Sequence, residues 1–301
     1  MSIGYIGLGS MGGALAERLQ LSHPLLVNDH DQQAVDRLVA AGAQARAHSS
    51  DLAAECTTIF LCLPTSDHVR SVILDPDFTE KLHPGTLLVD QTTGDPNATR
   101  EMAEILAKQG VSLIDAPVSG GWRGAQAGTI AIMVGAPRPD FDRISPVLAD
   151  VSSNVFHAGD VGAGQVIKLV NNLISGAQRL LSLEGIALAA KNGLDPAKAI
   201  EILTSGGGRN VFLEKFAPRV IEGQLAPGFT LGLLLKDLRL ASELGAASST
   251  PLFFGNLTRD LYQTHVNELG YGAEVDASAL VIDRISGTHV VPDEHDHIDN
   301  H

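Results

Sequence analysis

Apolar positions follow one rhythm in the first half of the chain and another in the second. In the first half, short runs of consecutive apolar residues recur: Ile3 to Ile6, Leu25 to Asp29, Thr58 to Leu63, Thr86 to Asp90, Ser112 to Asp115 and Ile130 to Val134. Helical periodicity lies between them, as at Leu15, Ala16 and Leu19 after the first run and from Pro96 to Gln109 after the fourth. Runs that are apolar throughout, rather than alternating, suit strands of a parallel sheet covered on both faces. The pattern predicts a doubly wound α/β domain with a mostly parallel sheet over residues 1–162.

Beyond Gly162 the period becomes helical. From Ala163 to Asn192 the apolar residues Val166, Ile167, Leu169, Val170, Leu173, Ile174, Ala177, Leu180 and Leu181 recur without a proline. Nearly thirty residues at the α-helical rise make a rod of roughly 40 Å, longer than a small domain is wide. Asn192-Gly193 is a helix stop, and Asp195-Pro196 opens the next helix as N-cap and first-turn proline. Helical stretches follow at Val211 to Ile221, Leu231 to Leu244, Pro251 to His265 and Asp276 to Ile285, with no strand signals between. An all-α domain over 163–289, joined to the first by a long interdomain helix, is expected. Residues 290–301, from Pro292 onward mostly Asp and His, carry little to bury and read as a flexible tail. Metal binding by its His and Asp side chains is the other reading of that tail, although no ligand geometry is fixed there.

Composition narrows the classes. The chain has 301 residues, 44% of them hydrophobic, enough for two ordinary domains with proper cores. Its 21 Lys+Arg against 35 Asp+Glu give a formal charge of −14, which argues against nucleic acid or an anionic membrane as partner. No apolar run reaches membrane-spanning length and no basic segment precedes an apolar start, so neither a span nor a secretory leader is expected. Cys56 and Cys62 cannot build a disulfide framework. A reduced, cytoplasmic protein is the expectation.

Gly7-x-Gly9-x-x-Gly12 follows the first apolar run and opens a helix, the context in which this common pattern gains meaning. The first glycine makes the tight turn, the second admits a pyrophosphate against the backbone, and the third lets helix and strand pack closely. Asp29, seventeen residues past Gly12, ends the second run. A carboxylate there accepts the ribose hydroxyls and repels a 2′-phosphate, and neither His30 nor its next neighbours supplies a lysine or arginine. This predicts NAD rather than NADP, the bland alternative being a strand-end turn residue. Lys168 and Asn172 stand at i and i+4 near the start of the long helix and share a face. Flanked by Ile167 and Leu169, Lys168 is read either as a buried amine whose lowered pKa suits proton exchange or as a surface lysine whose stem covers apolar area. Ser119, Gly120 and Gly121 form a small-residue turn able to hold a carboxylate, or simply to flex. Gly206 to Asn210 and Lys236 are similarly ambiguous. No Tyr has a Lys four residues downstream, no G-x-S-x-G elbow is present, and no catalytic zinc or other metal motif stands out.

Four motifs in order then fix a resemblance: Gly7 to Gly12, Asp115-Ala116-Pro117-Val118-Ser119-Gly120-Gly121, Gly164 to Asn172, and Lys236-Asp237-Leu238-x-Leu240-Ala241. The chain from 1 to about 289 resembles the β-hydroxyacid dehydrogenases, the family of 3-hydroxyisobutyrate dehydrogenase and tartronate semialdehyde reductase. The resemblance implies a Rossmann domain followed by an all-α domain like the C-terminal one of 6-phosphogluconate dehydrogenase. It implies that Gly7, Leu8, Gly9, Ser10, Met11, Gly12, Asp29, Leu63, Pro64 and Thr93 bind the dinucleotide. Lys168 would be the general acid/base, Ser119, Gly120, Gly121 and Asn172 would bind substrate, and Lys236 would serve both ligands. A small anionic hydroxy acid, NAD and a homodimer or homotetramer are expected. A non-catalytic dinucleotide-binding scaffold and imine reduction are the competing readings, and both fit poorly with Lys168 in place.

Overall fold

The computed structural model describes residues 2–226 and 228–292; the predicted tail from 293 onward lies outside the described residues. The chain forms two compact units, Met1–Leu169 and Val170–His301.

The first unit holds nine strands: β1 (Ile3–Ile6), β2 (Leu25–Asn28), β3 (Gln44–Ala45), β4 (Thr58–Leu61), β5 (Leu87–Asp90), β6 (Ser112–Asp115), β7 (Val118–Ser119), β8 (Ala131–Gly135) and β9 (Asn154–Gly159). Their order is β3-β2-β1-β4-β5-β6-β8-β7, with β9 paired to β8. Pairing is parallel from β3 through β6 and antiparallel where β8 meets β6 and β7. Helices α1 (Ser10–Gln20), α2 (Gln32–Ala40), α3 (Ser49–Glu55), α4 (Ser66–Ile73), α5 (Pro76–Thr79), α6 (Pro96–Ala107), α7 (Gly121–Gln126) and α8 (Arg138–Val151) follow successive strands.

The fully apolar runs are explained by two cores, one on each face of the sheet. Phe60, Leu87 and Val89 pack on the side of Leu15 and Leu19, whereas Ile59, Leu61 and Leu88 pack on the side of Leu52, Phe78 and Met102. The central strands β1, β4 and β5 therefore bury both sets of alternating side chains, as a doubly wound sheet requires. The strand order reverses at the parallel neighbours β1 and β4, and because β1, β2, β4, β5 and β6 run in one direction the loops that follow them gather at one edge of the sheet. In this architecture that edge is where ligands bind.

Helix α9 (Ala163–Lys191) is the predicted long helix, and the division between the units falls within it. The second unit continues with α10 (Pro196–Ser205), α11 (Val211–Lys215), α12 (Ala217–Val220), α13 (Leu231–Ala247), α14 (Phe253–Leu269) and α15 (Ser278–Ser286). Among its described residues the sole β pairing is a bridge between Thr230 and Glu274. The single helix expected over Val211 to Ile221 is two short ones, because Pro218 lacks the N–H that a continuous helix needs and fits instead in a first turn. Arg179 is gripped by Asp276 and lies over the rings of Phe212 and Phe216, at 4.8 and 5.2 Å from their centroids. Val290 and Val291, at the head of the expected tail, are buried, and their N–H groups donate to the Asp283 carboxylate.

Candidate active site

The site's residues in the first unit stand on the loops at the sheet's C-terminal edge. Gly7 follows β1 at a φ of +91°, and its N–H donates to the Asn28 carbonyl at the end of β2. Gly12 permits the close passage of α1 over this turn: a Cβ there would lie 2.0 Å from the Gly7 carbonyl oxygen. At Gly9 the reverse holds. Gly9 caps α1, and a Cβ built on it meets nothing within 4 Å, so the concavity over Gly9 and Ser10 is open. Helices leave their first-turn N–H groups without intrahelical partners, and here those donors face an open cradle.

Asp29 is half-buried beside this loop. One carboxylate oxygen accepts the Leu8 N–H and the other the Asp31 N–H, 2.8 Å away. The plane of the carboxylate is thereby fixed, and each oxygen keeps a lone pair for a further donor. His30 is exposed, and Asp31 is committed to capping α2 through Gln33. Glycine turn, open helix terminus and oriented carboxylate together fit the pyrophosphate and ribose of a nicotinamide dinucleotide.

Leu63 and Pro64 lie after β4 and Thr93 after β5. The two loops are tied, since the Leu63 N–H donates to Thr92 Oγ1 over 2.9 Å. Ser119 closes β7, and Gly120 and Gly121 follow with φ of +137° and +69°. Lys168 is only 8% exposed and Asn172 5%, one helical turn apart on α9. The surface-lysine alternative is therefore discarded for Lys168. Its neighbours Ile167 and Val170 face outward, so the buried face is the one that Lys168 shares with Asn172.

Two residues without an assigned role in the sequence reading turn out to organise the first unit's loops. Asp115, at the end of β6, accepts the Gly162 N–H at 2.6 Å and the Gln165 N–H at 2.8 Å, capping α9 from outside the helix. Burial pushes its carboxyl up to about 6 against the pull of those hydrogen bonds. Gly164 is required between them, because a Cβ would stand 2.3 Å from the Met133 carbonyl oxygen. Gln165 is fully buried; its Nε2 donates to the Thr92 carbonyl at 2.8 Å and its Oε1 accepts the Gly94 N–H at 2.9 Å. An amide in a first turn of otherwise small and apolar residues is the signal the sequence offers.

In the second unit, Asn172 Nδ2 donates to Asp237 Oδ2 at 2.6 Å, and Asn172 Oδ1 accepts from Asn171 at 3.0 Å. Asp237 is 2% exposed, and Lys236 Nζ lies 3.1 Å from its other oxygen. Asp237 was seen in the sequence only as the neighbour of Lys236, yet it fixes the orientation of the Asn172 amide.

A family model described as the NAD binding domain of 6-phosphogluconate dehydrogenase matches residues 2–159. A second, described as the NAD-binding of NADP-dependent 3-hydroxyisobutyrate dehydrogenase, matches residues 162–282. The chain is 37% identical over 285 residues to 2-(hydroxymethyl)glutarate dehydrogenase of Eubacterium barkeri, covering 93% of this chain and 94% of that protein. It is 39% identical over 278 residues to 3-hydroxyisobutyrate dehydrogenase of Pseudomonas aeruginosa, covering 87% and 91% respectively. Among solved structures, Mycobacterium tuberculosis 3-hydroxyisobutyrate dehydrogenase with L-serine superposes with a TM-score of 0.82 at 28% identity, covering 93% of this chain and 98% of that one. No helix among the described residues is long and apolar enough to cross a membrane.

Proposed function

The chain belongs to the β-hydroxyacid dehydrogenase family, and from that premise we propose that it interconverts a small β-hydroxy acid of the 3-hydroxyisobutyrate type and its semialdehyde, with NAD as cofactor and Lys168 as general acid/base. Family membership makes it an oxidoreductase acting on a CH–OH group with a nicotinamide dinucleotide. The finer reading is carried by one observation: a lysine with 8% exposure shares a buried helix face with Asn172.

In this reading Ser119, Gly120 and Gly121 hold the substrate carboxylate, and Asn172 orients the hydroxyl toward the Lys168 amine. Asp237 keeps the Asn172 amide from rotating and so holds it in one orientation toward the substrate. The bound nicotinamide supplies the hydride acceptor. Lys168, neutral beforehand, takes the hydroxyl proton as the carbonyl forms and returns it in the reverse direction. General acid/base catalysis of this kind contributes about 10²- to 10⁴-fold. Gly7 to Gly12, Leu63, Pro64 and Thr93 hold the dinucleotide, and Lys236 stabilises substrate and cofactor charge. Asp29 favours NAD, since His30, Asp31, Gln32 and Gln33 include no lysine or arginine to neutralise a 2′-phosphate.

3-Hydroxyisobutyrate is the nominal substrate, with serine, glycerate, threonate, sulfonate analogues and 2-(hydroxymethyl)glutarate as contenders. Absorbance of the reduced dinucleotide across these acids, with NAD and NADP in parallel and a cyclic imine as control, tests the reading. Turnover of at least one hydroxy acid with NAD is expected; binding of NAD with no hydroxy acid turned over would sink it. Exposed Ile174, Leu181 and Leu188, spaced by seven along α9, together with Phe253 and Phe254, support a homodimer or homotetramer. With neither Cys56 nor Cys62 in a disulfide, a reducing cytoplasm suits the chain.

A further inference from the structure

We propose that Gln165 is a positioning residue that fastens the dinucleotide loop Thr92–Gly94 to the first turn of the helix bearing Lys168. The inference rests on the reading above for the roles of Thr93 and Lys168, and on geometry for everything else. The loop after β5 presents two backbone groups of opposite character, the Thr92 carbonyl and the Gly94 N–H, on either side of Thr93. A primary amide is the side chain that answers both, and Gln165 does so at 2.8 and 2.9 Å. Its own backbone N–H donates to Asp115, whose second oxygen holds Gly162. At the far end, Thr92 Oγ1 accepts the Leu63 N–H and the Thr92 N–H donates to Asp90. The ends of β4, β5 and β6 and the first turn of α9 are thus joined through Gln165 and Thr92.

The network is closed to water, with Gln165 and Asp115 fully buried and Gly94 also buried. Removal of either half of the amide leaves a backbone group without a partner in a dry site, and the loop must open to rehydrate it. Asparagine is one methylene too short to span the same gap. Glutamate has the right length and still accepts from Gly94, but while ionised it has nothing to donate to Thr92. Protonation restores that donor. The glutamate variant should therefore acquire a pH dependence of its own, which general weakening of the fold would not produce.

The test compares the unmodified protein with Gln165→Leu and Gln165→Glu by titration with NADH between pH 6.5 and 8.5, alongside amide exchange at Gly94 in the ligand-free protein. Gln165→Leu should weaken NADH binding about tenfold to hundredfold and speed exchange at Gly94. Gln165→Glu should match that loss at pH 8.5 and approach the unmodified affinity at pH 6.5. If Gln165→Leu does not fold, the near-isosteric glutamate carries the test alone. NADH affinity within twofold of the unmodified protein at every pH overturns the proposal. So does a loss in Gln165→Glu that is the same at every pH. A Lys168→Ala protein that still turns over refutes the catalytic reading without touching this pattern, so the two failures are distinguishable.

Discussion

Replacing Asp115 by asparagine removes a buried titration from the first unit. The Asp115 carboxyl is raised by burial from 3.8 to about 6, although two backbone N–H groups pull the other way. A carboxyl whose folded pKa lies above its unfolded one binds its proton more tightly in the folded state. Its contribution is therefore fully present below pH 3.8 and is lost as pH rises through 6. The shift of about two units corresponds to about 3 kcal/mol at 1.36 kcal/mol per unit. Asparagine has no such titration, so the stability gap between the two proteins should move by about 2.4 kcal/mol in favour of Asp115 as pH falls from 7 to 4, most of the full shift. At pH 7 asparagine has its own penalty, because it turns an NH₂ toward one of the two N–H donors at Gly162 and Gln165. Urea unfolding at a series of pH values measures the gap. Fluorescence of Trp122, the chain's single tryptophan, reports on the correct unit. A gap constant to within about 0.5 kcal/mol across that window would show that Asp115 titrates normally and that its burial costs nothing.

Gly9 and Gly12 should respond in opposite ways to alanine. At Gly9 the new methyl enters an open cradle, so NADH affinity should fall more than about tenfold with little change in melting temperature. At Gly12 it meets the Gly7 carbonyl and should cost several degrees or the fold itself; equal thermal losses would contradict this account of the loop. Asp29→Ala should reduce the NAD-over-NADP preference in kcat/KM by about tenfold, and an unchanged ratio removes Asp29 from cofactor selection. Asn172→Leu strips the buried Asp237 of its amide donor and should destabilise the second unit by about 1–3 kcal/mol in urea melts. Combined with Asp237→Leu, the loss should be less than additive; strict additivity denies the coupling.

Much of the first unit was legible because its strands are buried on both faces and so appear as unbroken apolar runs. β1 and β6 match their runs residue for residue. β9 was not legible, since its residues are mostly exposed and carry no such run. The long helix and the Asp195-Pro196 start were readable from period and capping chemistry. The break at Phe216 depended on a proline whose effect was overlooked. Within the site, glycine spacing and the i, i+4 pair could be seen because they are local. The contacts of Gln165 with Thr92 and Gly94, of Asp115 with Gly162 and of Asn172 with Asp237 span dozens of residues. Only the folded chain brings such partners together.

The central claim is that Lys168 exchanges the proton, and the Lys168→Ala protein tests it most directly. Hydroxy-acid oxidation should be followed in that variant together with NADH binding. The account predicts a fall in kcat of about 10²- to 10⁴-fold with NADH affinity within about threefold of the unmodified protein. Turnover within tenfold of the unmodified protein, at equal NADH affinity, would contradict it.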